Sequence, residues 1–175
     1  MYTLRRAGSA DFSAIYHLLN TPLREKLLVE PLAQEPEFLQ QSQLNLQSDT
    51  EFYYLLEQDG VILGSIRIMV PEESCEIWGR SLATLYYHCG RIAFEELQMK
   101  RLQWCVRQNN RRMLRICEMF GAQKTGESPF FNFASKLSFI AIGVVNFYEF
   151  TPEAYRSHIS LMRRFAMPIS NISEK

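Results

Sequence analysis

The chain has 175 residues, 47% of them apolar and 22% charged, with 19 basic residues against 19 acidic ones. This is ordinary usage for one globular domain large enough to bury its own core, and a net charge of zero argues against a surface built to neutralise nucleic-acid phosphates. The longest apolar run, 139–145, is too short to cross a bilayer, no apolar stretch follows Met-Tyr-Thr-Leu-Arg-Arg as a secretory leader would require, and Cys75, Cys89, Cys105 and Cys117 have neither C-x-x-C nor metal-ligand spacing, so a cytoplasmic protein with reduced, buried thiols, no metal, no nucleic acid and no membrane is expected.

Residues 2–6 alternate apolar and polar and predict a strand. Ser9 offers an N-cap and Asp11 a favourable first-turn charge for a helix whose apolar face is Phe12, Ile15, Tyr16 and Leu19. Thr21-Pro22 ends it, and 23–48 predicts one or two short helices around Phe38, Leu39 and Leu44, broken at Pro31 and Pro36. Asp59-Gly60 between 52–56 and 61–70 is a strong hairpin signal, with Gly64 marking a bulge and Pro71 closing the second strand. A short strand at 74–78 leads through Gly79-Arg80-Ser81, a tight bend, into a helix over 82–97 with its stripe at Leu82, Leu85, Tyr86, Cys89, Ala93 and Leu97. A strand over 101–106, a helix over 110–120 stopped by Gly121, and two strands within 130–150 around a turn at 135–138 follow. Thr151 caps a last helix with Pro152 at its first position and Tyr155, Ile159, Met162 and Phe165 on one face. The predicted class is α/β: a mixed, mostly antiparallel sheet of about six to seven strands flanked by helices, one domain over 1–168, with 169–175 a flexible polar tail.

The most specific stretch is 93–126. A helix ending Ala93-Phe94-Glu95-Glu96-Leu97 leads to a strand, a turn ending in Asn110, and an aliphatic helix closing Glu118-x-x-Gly121. Together with Phe147-Tyr148-Glu149-Phe150-Thr151-Pro152-Glu153, this resembles the GNAT-superfamily N-acetyltransferases, in particular the branch of the ribosomal-protein N-terminal acetyltransferases.

The resemblance implies a V-shaped opening between the strands at 74–78 and 101–106, entered by acetyl-CoA as acyl donor. Asn110 would hold the donor's arm, while the local account makes it the cap of its own helix. Cys117 stands where relatives place a tyrosine that protonates the departing thiolate, and a thiol can do this in principle. Packed as a small buried hydrophobe, it would do nothing of the kind. Glu76 stands where relatives carry a base for the amine, against a local account as a solvent-facing carboxylate. His17 and His88 are weaker candidates, each within a helical pattern.

One departure from the family is plain. The Arg/Gln-x-x-Gly-x-Gly/Ala loop that cradles the pyrophosphate is replaced by a shorter Ile77-Trp78-Gly79-Arg80-Ser81, with Ser81 as helix cap and Arg80 as an available cation. Two functions follow: an N-acetyltransferase in which a primary amine, small or peptidic, attacks the thioester directly, or a GNAT-like binding module that no longer uses acetyl-CoA. The bend decides between them, according to whether it opens on a cleft or is filled by Trp78 or Tyr86. The acceptor would be chosen by 20–50, whose Arg24, Glu25, Lys26, Glu30, Glu35 and Glu37 show no charge preference. A homodimer through an edge strand or the C-terminal segment fits the pattern equally well.

Overall fold

A computed structural model describes residues 1–22, 27, 32–131 and 141–173. The turn expected at 135–138, Pro31, and the charged residues Arg24, Glu25, Lys26 and Glu30 lie outside them.

The strands are β1 (Tyr2–Arg6), β2 (Glu51–Gln58), β3 (Val61–Met69), β4 (Ser74–Gly79), β5 (Leu102–Arg107), β6 (Gln123–Phe131), β7 (Ala141–Phe150) and β8 (Ile169–Ser173). The helices are α1 (Phe12–Leu19), α2 (Glu35–Leu46), α3 (Leu82–Arg91), α4 (Arg111–Met119) and α5 (Pro152–Phe165). All eight strands form one sheet in the order β6-β7-β5-β4-β3-β2-β1-β8, antiparallel except at β4–β5 and β1–β8.

Local chemistry sets the element ends. Asp59 and Gly60 both take positive φ, 49° and 80°, as a two-residue hairpin turn demands. The register slips between Leu56 and Glu57 opposite Gly64 and Ile62, so the bulge that Gly64 marks is present. Pro36 begins α2 instead of breaking it, because a proline in the first turn gives up no helical hydrogen bond. Ser9 is no N-cap: a 3₁₀ turn over Ser9–Asp11 precedes α1, and Asp11 reaches back to the Gly8 N–H at 2.7 Å. The stripe running on to Leu97 is continued by a π-helical turn over Ile92–Glu96. Asn110 and Thr151 cap α4 and α5 as expected, accepting from the N–H of Met113 and Ala154 at 3.2 and 3.3 Å.

The tail expected from 169 is a strand over Ile169–Ser173, paired parallel with β1. The reason is that β1 pairs with β2 on one side only, and its other edge offers unpaired backbone groups that a returning extended segment satisfies.

The sheet divides two apolar layers. On one face α3, α4 and α5 pack Leu85, Tyr86, Cys89, Ile116, Cys117, Phe120, Tyr155 and Met162 over Ile66, Ile68, Leu102, Val106 and Phe150. On the other, α1 and α2 set Phe12, Ile15, Leu19 and Phe38 over Tyr53 and Leu55. At roughly 25 cal/mol per Å² of apolar surface, each fully buried large side chain of these layers contributes about 1.5–3 kcal/mol before its entropy cost.

Candidate active site

Among the described residues β4 and β5 share one rung, Ser74↔Gln103, backed by the Gln103 N–H on the Glu73 carbonyl at 2.7 Å. Every other neighbouring pair of strands holds at least four. Beyond that rung the two parallel strands diverge, because each is drawn to its antiparallel partner: β4 to β3 up to Gly79, β5 to β7 up to Arg107. The divergence opens a cleft of about 520 Å³ toward the α1/α2 face. Its walls come from β4 and β5, with Met113 from α4 and Leu19 and Phe38 from α1 and α2.

Glu76, Ile77 and Trp78 line this cleft. The Glu76 side chain is 48% exposed, and its Oε2 lies 3.5 Å from Arg67 Nη1. Trp78 turns to the α1/α2 layer, while Ile77 packs toward α3. Cys117 is apart from them. It is fully buried under α4, and burial pushes its thiol up to about 12, opposed only in part by the Trp104 indole. That indole N–H, though near the sulfur, is buried without a hydrogen-bond partner, as is the Tyr86 hydroxyl. Tyr86 packs edge-on to Trp104 with centroids 5.6 Å apart, so it belongs to the core and stays out of the bend. Burial holds His88 neutral, lowering it to about 4, and the exposed His17 sits 3.6 Å from Glu35; neither lines the cleft.

The bend itself is filled by Leu85. Gly64 and Gly79 are register partners, and a Cβ on either would strike the Leu85 methyl within 3.0 Å. Its donors are partly spent. The Arg80 N–H binds the Leu63 carbonyl at 2.9 Å, Arg112 Nη2 donates to the Arg80 carbonyl at 2.8 Å, and Ser81 Oγ turns to Met167 Sδ at 3.9 Å without capping α3. The first helical bond of α3 is Leu85 N–H to Ser81, which leaves the amides of Leu82, Ala83 and Thr84 without a helical acceptor. Those amides, with the exposed Arg80 side chain and Arg112, are what the bend offers an anion. Asn110 Oδ1 is committed to its cap, and its Nδ2 bonds nothing among the described residues.

Sequence reasoning missed Arg67, Gln103, Trp104 and Met113 as cleft residues. Arg67 carried no signal of this: alternating with Ile66 and Ile68, it reads as the outward residue of its strand.

No family model matches the sequence, and no curated relative matches it. Solved structures do resemble the fold. The spermidine N-acetyltransferase from Vibrio cholerae in complex with CoA and spermine superposes with a TM-score of 0.72 at 16% identity, covering 89% of this chain and 98% of that one. A dodecameric structure of the same enzyme gives 0.67 at 15% identity, covering 88% and 95%. A protein from T. thermophilus, assigned provisionally as an acetyltransferase, gives 0.66 at 18% identity, covering 92% and 91%. With the splayed β4–β5 pair, the helix placement and these likenesses, the chain has a GNAT-like fold.

Proposed function

We propose that the protein is an acyl-CoA-dependent N-acetyltransferase that passes an acetyl group from acetyl-CoA to a primary amine by direct attack. The observation that carries this reading is the single rung between β4 and β5 and the cleft it opens. An extended pantetheine arm can add to the freed edge of β4 as a short strand would. The thioester carbonyl then lies where backbone N–H groups of β4 polarise it. Asn110 Nδ2 is available to the arm, and the α3 amides with Arg80 and Arg112 to the pyrophosphate, replacing by side chains part of what a Gly-x-Gly loop does with backbone.

Glu76 is the base. It stands on the cleft wall, half-exposed and within reach of an amine entering from the α1/α2 side. Cys117 is given a packing role here, since a thiol with no exposure and a pKa of about 12 neither reaches a leaving sulfur nor yields its proton at neutral pH. The resemblance of 93–121 to the ribosomal-protein N-terminal acetyltransferases supports reading the chain as kin to that branch.

The competing reading, a binding module without acyl donor, draws on the spent donors of the bend. Calorimetry with acetyl-CoA and desulfo-CoA separates the two. A Kd of about 1–100 μM, followed by thiol release in the presence of amines, supports the transferase. No heat at about 1 mM acetyl-CoA removes it in favour of the module.

A further inference from the structure

A row of cross-strand partners crosses the sheet face under α1 and α2: Tyr53 of β2, Arg67 of β3 and Glu76 of β4. Arg67 is fixed on its far side. Its Nε and Nη2 lie 3.0 and 2.9 Å from Glu51 Oε2, and the guanidinium stands 5.5 Å from the centroid of the Tyr53 ring. The remaining nitrogen, Nη1, meets Glu76 Oε2 at 3.5 Å, well beyond the roughly 2.8 Å of a charge-assisted hydrogen bond. Glu51 therefore anchors the cation, and the contact with Glu76 is the loose one. Arg67 and Glu76 are the charged residues among the described ones lining the cleft, and Leu19, Phe38, Met69 and Trp78 supply apolar wall.

A held cation and a carboxylate side by side in an apolar cleft are complementary to a zwitterion. An ammonium suits Glu76, and an anion one carbon away suits Arg67 Nη1, the guanidinium nitrogen that Glu51 does not hold. A polyamine brings only cations and would set one of them against Arg67. A peptide N-terminus brings the ammonium but presents a neutral amide to the guanidinium.

We propose that the acceptor is a free α-amino acid with a large apolar side chain, its carboxylate on Arg67, its ammonium on Glu76, and its side chain against Phe38, Met69 and Trp78. This rests on the transferase reading above and adds the substrate class to it. Glu76 takes one ammonium proton, and the freed nitrogen attacks the thioester carbonyl. The N–C bond forms and the C–S bond breaks with its electron pair on sulfur. The second proton lost by nitrogen as the amide forms ends on that sulfur, giving an N-acetyl amino acid and free CoA thiol.

The test compares L-phenylalanine, phenethylamine, phenylalanyl-glycine and spermidine as acceptors by thiol release. It also measures L-phenylalanine and phenethylamine binding by calorimetry without acyl donor. L-Phenylalanine should exceed each of the others in kcat/KM by about tenfold or more, because its carboxylate brings the half-buried Arg67 Nη1 a close acceptor that the others lack. Arg67→Lys, which keeps the charge and loses the fork, should raise KM for L-phenylalanine about tenfold and draw its ratio to phenethylamine toward one. Thermal denaturation shows whether that variant is folded, and the wild-type acceptor series stands without it. Equal or better transfer to phenethylamine, the dipeptide or spermidine overturns the proposal, as does a ratio that Arg67→Lys leaves unchanged. If nothing is acetylated yet L-phenylalanine binds in preference to phenethylamine, the zwitterion site holds and the transferase reading falls. Absence of that preference in binding as well overturns the site.

Discussion

Gly64 and Gly79 face each other across the β3–β4 ladder so closely that a Cβ on Gly79 would stand 2.5 Å from Gly64 Cα. The same added atom would meet the Leu63 carbonyl at 2.5 Å, and Gly79 holds φ at 150°, where a side chain is strained in any case. Two bare backbones make the floor on which Leu85 seats the first turn of α3, and with it the amides of Leu82 to Thr84. Gly79→Ala should therefore lower stability by about 3 kcal/mol or more. Gly143→Ala, where an added Cβ meets nothing within 4 Å, serves as the contrast and should change stability by less than about 1 kcal/mol. Urea denaturation of both variants checks the pair, and equal midpoints would show that the bend has slack.

Much of this was legible in the chain because it is local. Asp59-Gly60, Asn110 with Gly121, and Thr151-Pro152 each act on the few residues beside them, and the structure uses all of them as the sequence implies. What was illegible depends on distant segments. The β8 strand needs the open edge of β1, more than 160 residues away, and no pattern within Ile169–Ser173 announces that pairing. Glu76 was a candidate from its place on the strand at 74–78, and it lines the cleft. Its neighbour Arg67 was not, because their partnership exists only through the β3–β4 register. Cys117, open in the sequence to a proton-donor role or a packing role, stands beneath Tyr86 and Trp104 among core side chains.

Stability should fall on mild acidification through His88. The residue is 6% exposed, burial lowers its pKa from 6.5 to about 4, and the neighbouring Arg91 adds to the effect. An unfolded chain binds this proton near 6.5 and the folded one only near 4, so between those values the unfolded state holds more protons. Stability is thus fully present above 6.5, declines as pH drops through the window, and has lost on the order of 3 kcal/mol below 4. His88→Asn should flatten the curve between pH 6.5 and 4 in denaturation experiments. An unaltered slope would assign the acid sensitivity elsewhere.

A second acid step belongs to Asp11, and it lies lower. Arg5 Nη1 and Nη2 donate to its two carboxylate oxygens at 2.7 Å each, and the Gly8 N–H adds a third bond at 2.7 Å. Those partners, Arg5 first, hold the carboxyl below its usual 3.8. A depressed folded pKa means stability that is present above 3.8 and is lost as pH falls through the folded value. Asp11→Asn should cost about 1–2 kcal/mol at neutral pH, solvent screening of the partly exposed pair keeping it toward the low end. Wild type and variant should converge below the window. A gap that persists in strong acid would mean the loss is one of capping geometry and independent of charge.

The two residues whose motif positions suggested catalysis should separate cleanly on substitution. Glu76 lines the cleft half-exposed, and Cys117 is sealed beneath α4. Glu76→Gln keeps the shape and removes the base, so kcat for an accepted amine should fall about 10²-fold with stability nearly unchanged. Cys117→Ala removes one sulfur from a packed layer and should cost about 1–2 kcal/mol of stability while kcat/KM stays within about twofold. Denaturation midpoints beside steady-state kinetics for both variants decide the matter. A folded Cys117→Ala protein slowed a hundredfold would return the thiol to the chemistry and require α4 to move away from Trp104 during turnover. A stable protein with unchanged kinetics leaves the proton of the departing sulfur to come from the amine itself, as the direct-attack reading has it.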